Sequence, residues 1–243
     1  MFLFRRREEN YLKAKELLDT GDEEGYKKMA ESIDISPDMA YHLIIELKTN
    51  NIEFIVAPYE ADAQLAYLCR TGYVDFILTE DSDLLAFGAP KVLYKFDFIN
   101  FIGQEVCLNN IKRIKDVQFN WFTHSMFLTT CILSGCDYLG QLSGIGIKKA
   151  QKIISRVSTF KRFIEEMSSE NIPADYEENF IKAFLTFRFQ RVYCPKRKMC
   201  VEVNERNFGM NLEELKEIDQ SNTEWTGEVL NAEVLEYVKN HYH

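Results

Sequence analysis

The chain has 243 residues, 46% of them hydrophobic and 28% charged. That composition excludes a disordered, collagen-like or low-complexity protein, and no apolar run approaches the ~18 residues of a membrane span. The formal charge of −9 is unevenly spread: residues 201–243 carry ten acids and three bases, whereas Tyr138 to Ile164 contains six bases and no acid. A local cationic face on an acidic protein binds phosphate within about a Debye length, ~8 Å at physiological salt.

Met1 to Arg7 shows no long apolar stretch behind a basic start, so no secretory signal is expected. Residues 5–33 are charged and helix-prone, with Leu12, Leu17 and Leu18 as a thin apolar face. Ser36-Pro37 is a helix start, a capping hydroxyl before a proline at the first helical position. Met39, Leu43, Ile44 and Leu47 then recur at helical spacing. Ile52 to Ala57 reads as a buried strand, Glu60 to Leu68 as a helix, Val74 to Leu78 as a second strand, Asp83 to Phe87 as a short helix and Lys91 to Lys95 as a third strand. This alternation predicts an α/β layer with a parallel sheet.

Beyond about residue 107 the strands fade. Helices are predicted over Phe122–Leu133, Lys148–Val157, Thr159–Met167 and Tyr176–Phe189, with a Gly/Ser-rich stretch from Ser134 to Gly146. The organisation expected is 1–33 helical, 34–120 α/β, 121–200 helical and 201–243 an acidic tail. Six cysteines without a CxxC pair, beside four histidines, give no zinc-ligand spacing. They read as reduced thiols of an intracellular protein.

Two carboxylate clusters follow predicted strands: Glu60 with Asp62, and Asp81 with Asp83. In parallel α/β sheets sites form beyond the carboxyl ends of strands. Asp137 is a third candidate, past an apolar helix. Gathered like charges raise one another's pKa. A divalent cation removes that cost, and Mg²⁺ takes carboxylate and water oxygens in octahedral geometry. A two-metal centre clamps the attacking and leaving oxygens of a phosphodiester. The plainer alternative for Glu60 and Asp62 is an acidic helix N-terminus that offsets the dipole, and for Asp137 a turn residue.

Ser143-Gly144-Ile145-Gly146-Ile147-Lys148-Lys149 is the second informative stretch. Its glycines permit positive φ and close approach, and a helix N-terminus with two lysines lies behind them. That arrangement grips a phosphate backbone without reading bases. A plain helix corner with solvated lysines is the alternative. Arg5 to Arg7 and Lys196 to Lys198, the latter expected in a turn, read on their own as solvated charge.

At these residues the sequence resembles a known family. Ala57 to Leu68, Thr79 to Gly88, Cys131 to Leu139 and the Gly144–Gly146 corner, in that order, are similar to the successive blocks of the XPG/flap-endonuclease superfamily. Phe189 to Tyr193 ahead of Pro195 resembles its eukaryotic exonuclease 1 group. The resemblance covers about residues 5–200. It implies a PIN-like α/β nuclease core with a parallel sheet, followed by a helical portion containing a helix–two-turn–helix. It implies a nuclear, monomeric 5′→3′ exonuclease with 5′-flap endonuclease activity. Its substrate would be duplex DNA with a 5′ end, flap or nick, and its partners DNA repair proteins.

By the same resemblance two Mg²⁺ ions would be held by Glu60 on one side and by Asp62, Asp81, Asp83 and Asp137 on the other. K⁺ would sit at the Gly144–Gly146 corner. Gly144, Ile145, Gly146, Lys148 and Lys149 would touch DNA. Residues 5–33 resemble the family's helical arch, with Arg6 and Arg7 as its terminal arginine pair and DNA contacts. The family's first strands and two further acids have no counterpart, so reduced activity is the expectation for this chain. A non-catalytic duplex-binding fragment, or a haloacid-dehalogenase-like phosphatase using Asp81 and Asp83, are the alternatives.

Overall fold

The computed structural model describes residues 11–18, 25, 27, 29, 35–158, 160–167 and 172–204. Arg6, Arg7, most of the expected 5–33 helices and nearly all of the acidic tail lie outside the described residues. The chain divides into two units, Met1–Ile55 with Val238–His243, and Val56–Tyr237.

In the first unit residues 11–18 are helical, and α1 spans Pro37–Thr49. Ser36 starts α1 as the sequence predicts: its side chain accepts a hydrogen bond from the Met39 amide at 3.2 Å, with Pro37 behind it. The helix ends where Asn51 turns to φ 53°, and the Ile52 amide reaches back to the Leu47 carbonyl at 2.9 Å. Ile52 to Ala57 is not a strand, against expectation. A strand exists only through a ladder partner, and none of the described strands pairs with this apolar run.

The second unit begins with α2 (Ala61–Arg70), β1 (Ile77–Leu78), α3 (Asp83–Ala86), β2 (Lys91–Asp97) and β3 (Ile102–Cys107). The strand order is β1-β2-β3. β1 and β2 are parallel, Ile77 opposite Val92, with α3 in the crossover. β3 pairs antiparallel, Val92 opposite Val106, which makes the sheet mixed. A connection of only four residues between β2 and β3 permits no parallel return. That turn leaves Phe98, Ile99, Phe101 and Ile102 largely exposed.

A 3₁₀ turn (Leu108–Arg113) leads into α4 (His124–Leu133), α5 (Ile147–Val157), α6 (Phe160–Met167) and α7 (Tyr176–Phe189). β4 (Arg191–Cys194) and β5 (Met199–Glu202) then form a hairpin with Lys196 to Lys198 in its turn, as expected. α4 is buried on all sides, including Thr129 and Thr130, as an apolar helix without a polar face must be. One core runs through Leu84 and Phe87, Val92, Leu128 and Ile132, Ile154, Phe163 and Phe187. The Phe87 and Phe187 rings lie 4.8 Å apart.

Two polar links fix the elements that carry the site. The buried Gln64 of α2 donates to the Tyr193 carbonyl and accepts from the Tyr193 amide, both at 2.8 Å. A side-chain amide here takes the place of a neighbouring strand, and it pins α2 to β4. Arg188 is fully buried and points an Nη at His124 Nδ1, 3.5 Å away, while His124 Nε2 lies 3.4 Å from the Leu85 carbonyl. Burial and the Arg188 charge push His124 down to about 4, so the ring is neutral at pH 7 and props α3 from beneath.

Candidate active site

Glu60 stands immediately before α2, yet its side chain makes no capping hydrogen bond. Its Oε2 accepts the Tyr138 hydroxyl instead, and the Gln190 side chain hydrogen-bonds to the same carboxylate. Glu60 thus spends its hydrogen bonds on Tyr138 and Gln190 rather than on the helix amides. Asp62 lies in the first turn of α2 and is half-buried.

Asp81 and Asp83 follow β1. The Asp81 amide is received by Thr79 Oγ1 at 3.0 Å, and Asp81 Oδ1 accepts the Asp83 amide at 2.8 Å. This local turn starts α3 and leaves Asp83 half-buried at its first position. The neighbouring Glu80 is spent elsewhere, accepting the Lys95 amide at 2.8 Å.

Asp137 sits in a loop closed by reciprocal bonds between Cys136 and Leu139, at 3.0 and 3.3 Å. Gly135 opens that loop at φ +99°; a Cβ there would come within 3.0 Å of Gln141 Cβ. A second turn follows, with the Ile145 amide on the Leu142 carbonyl at 3.0 Å. α4 and α5 are thus joined through two turns.

These loops bring the five acids into one electrostatic neighbourhood. Burial, then the charges of Asp81, Glu60 and Asp137, push Asp62 up to about 6. Burial, then Asp81, Asp137, Asp62 and Glu60, push Asp83 up to about 6. Glu60 is also raised, by burial and by Asp137, although its two hydrogen bonds work against this. The Asp137 charge thus acts on Glu60, Asp62 and Asp83. Cys131 and Cys136, beside the same charges, are held protonated, pushed up to about 12 and 11 chiefly by burial. The charged donors here are carboxylate oxygens, a hard set that fits Mg²⁺ rather than a thiolate-seeking metal. Among the described residues no three His, Cys, Asp or Glu groups are gathered so as to hold an ion as they stand. Carboxylates without a counter-ion repel one another.

At the second turn Gly144 takes φ +73°, with open space where a Cβ would stand. Gly146 caps α5, and Ile145 is buried in the core, its carbonyl accepting Gln141 Nε2 at 2.8 Å. Lys148, Lys149 and Lys152 are exposed, while Ala150, Gln151, Ile153 and Ile154 are buried. The helix therefore turns its cations outward beside the glycine corner.

The family model of the XPG I-region matches residues 51–137, a span that contains all five acids. Exonuclease 1 from Arabidopsis thaliana is 42% identical over 194 residues, covering 79% of this chain and 26% of its own length. Exodeoxyribonuclease 1 from Schizosaccharomyces pombe is 39% identical over 204 residues, covering 82% of this chain and 35% of its own length. Residues 51–137 thus carry the XPG I-region, and about four-fifths of the chain is similar to these exonucleases.

The fold agrees with that likeness. Flap endonuclease-1 from Methanococcus jannaschii superposes with a TM-score of 0.52 at 20% identity, over 90% of this chain and 63% of that one. The catalytic core of Rad2 gives 0.53 at 21%, over 63% and 58%. The chain thus shares the α/β fold of these structures, and it spans about a third or less of the two curated relatives named here.

Tyr138 and Gln190, which hold Glu60, were not candidates from the sequence. Tyr138 stands next to Asp137 and could have been suspected. Gln190 is separated from Glu60 by 130 positions, and only the fold brings them together.

Proposed function

We propose that this chain is a divalent-metal-dependent nuclease acting on duplex DNA from a 5′ end, flap or nick, with 5′→3′ exonuclease and 5′-flap endonuclease activity. The observation that supports this reading is the mutual charge effect among Glu60, Asp62, Asp81, Asp83 and Asp137, with Asp62 and Asp83 both raised to about 6, chiefly by burial. A cluster that costly without a counter-ion is a seat for cations. When bound, Mg²⁺ supplies positive charge at the scissile phosphate and acidity to a hydrolytic water.

The chain's own residues divide the work. Tyr138 and Gln190 keep Glu60 oriented toward the cluster. Asp81 shapes the turn that presents Asp83, and the Cys136–Leu139 loop presents Asp137. Gly144, Ile145 and Gly146 bring backbone close to a DNA phosphate, and Lys148 and Lys149 add charge without reading bases. K⁺ at this corner, DNA contacts through Arg6 and Arg7, a monomeric state, repair-protein partners and a nuclear location belong to the same reading, which rests on the family.

The test is cleavage of a 5′-labelled flap duplex with Mg²⁺, followed on a gel. Products are expected from the 5′ side, lost in a chelator and reduced at least about 10²-fold by Asp81→Ala with Asp83→Ala. Products that persist in chelator, or that the double variant leaves unchanged, overturn the proposal.

A further inference from the structure

Two buried oxygens beside the carboxylates have no hydrogen-bond partner among the described residues: the Tyr94 hydroxyl and Gln190 Oε1. Gln190 is 4% exposed. Its amide donates to Glu60, and Oε1 shares a carbon with that donor, so it lies at the rim of the same carboxylate. Tyr94 is placed by the backbone on either side of it. The Leu93 carbonyl accepts the Thr79 amide at 3.2 Å, and the Lys95 amide is bound by Glu80 at 2.8 Å. β2 therefore lies along the segment that leads into Asp81, and the charges of Asp81 and Asp83 both act on the Tyr94 hydroxyl.

An orphaned polar atom in such a place calls for a partner. Gln190 Oε1 is an acceptor only, and ionised carboxylates are acceptors only, so the cluster cannot satisfy it from within. A hydrated cation brings the missing group, because Mg²⁺ keeps several of its waters when bound by a few carboxylates. We infer that Gln190 Oε1 and the Tyr94 hydroxyl are outer-sphere seats, each accepting a hydrogen bond from a water carried by the divalent ion. Gln190 belongs with Glu60, and Tyr94 with Asp81 and Asp83. Both are positioning residues, and the inference rests on the metal-dependent reading above.

The test uses the whole chain and two probes, Mg²⁺ and hexaamminecobalt(III), an inert ion that offers only outer-sphere N–H donors. Binding is read by titration calorimetry, and folding by thermal melting without divalent ions. Tyr94→Phe removes only an unpartnered hydroxyl. It is expected to leave the metal-free melting temperature unchanged or higher, and to weaken both probes about tenfold. Gln190→Met is expected to weaken both to a similar degree, with the metal-free melt reporting any loss of folding. Mg²⁺ binding to the unaltered chain together with unchanged binding by Tyr94→Phe overturns this inference alone. No Mg²⁺ binding by the unaltered chain overturns the metal-dependent reading and this inference together.

Discussion

Tyr138 donates its hydroxyl hydrogen to Glu60, across 78 positions of sequence. The bond ties the loop that carries Asp137 to the start of α2, so two of the three carboxylate segments cannot move independently. Tyr138 also packs its ring on Phe187, with centroids 5.0 Å apart. Tyr138→Phe keeps that packing and removes only the donor. The expected result is an unchanged circular dichroism spectrum and a Mg²⁺-dependent cleavage rate lower by about 10-fold in single turnover.

The raised carboxylates give stability a definite pH dependence. A folded-state pKa above the unfolded value contributes stability that is present at low pH and is lost as pH rises through the folded value. For Asp62 and Asp83 that window runs from near 4 to about 6. Asp62→Asn and Asp83→Asn should therefore raise the metal-free melting temperature at pH 7.5 and leave it nearly unchanged at pH 4. Added Mg²⁺ should stabilise the unaltered chain more than either variant. Melting curves at the two pH values decide this.

His124 works in the opposite sense. Its folded value of about 4 lies below the ordinary imidazole range, so the stability it contributes is present above about pH 6.5 and is lost as pH falls toward 4. His124→Gln should flatten this part of the profile. A variant whose urea midpoint falls between pH 6.5 and 4.5 as steeply as that of the unaltered chain would refute the assignment.

The paired bonds of Gln64 to Tyr193 make a strong stability prediction. Gln64→Leu leaves an amide and a carbonyl without partners beside β4, at a cost of about 2–3 kcal/mol. Urea unfolding should show the midpoint fall with little change in slope. Because the link also aims α2, cleavage should drop even under conditions where the variant remains folded.

At the glycine corner the expected readout is salt dependence. Lys148→Ala with Lys149→Ala should weaken binding to a fluorescent duplex regardless of its sequence, and lower the salt slope by about 2. Gly144→Ala places a Cβ where no atom lies within 4 Å, so its effect is confined to the backbone conformation at φ +73°, about 1–2 kcal/mol.

Much of this was legible before any coordinates. The helices were, because their apolar spacing is strong: α7 runs from Tyr176 to Phe189 as read from the sequence, and Ser36 caps α1 as its position predicts. The five acids stand out by residue type and placement after apolar runs. The irregular path of Ile52 to Ala57 was not legible, because an apolar run declares its burial but not whether a ladder partner exists. β3 was missed because Ile102 to Cys107 lies at the sheet edge with little alternation, and β4 and β5 because each has only four residues. Gln190, Gln64 and Arg188 are polar groups whose roles arise from partners far away in the chain, and nothing local marks them.

Gln141 touches both halves of this arrangement. Its Cβ covers Gly135, where the Asp137 loop begins, and its amide holds the Ile145 carbonyl inside the glycine corner. One side chain thus acts as a spacer bar between the place where phosphate would be hydrolysed and the place where the duplex would be gripped. A change in its length is expected to shift the Asp137 loop and the glycine corner together, without touching any acid.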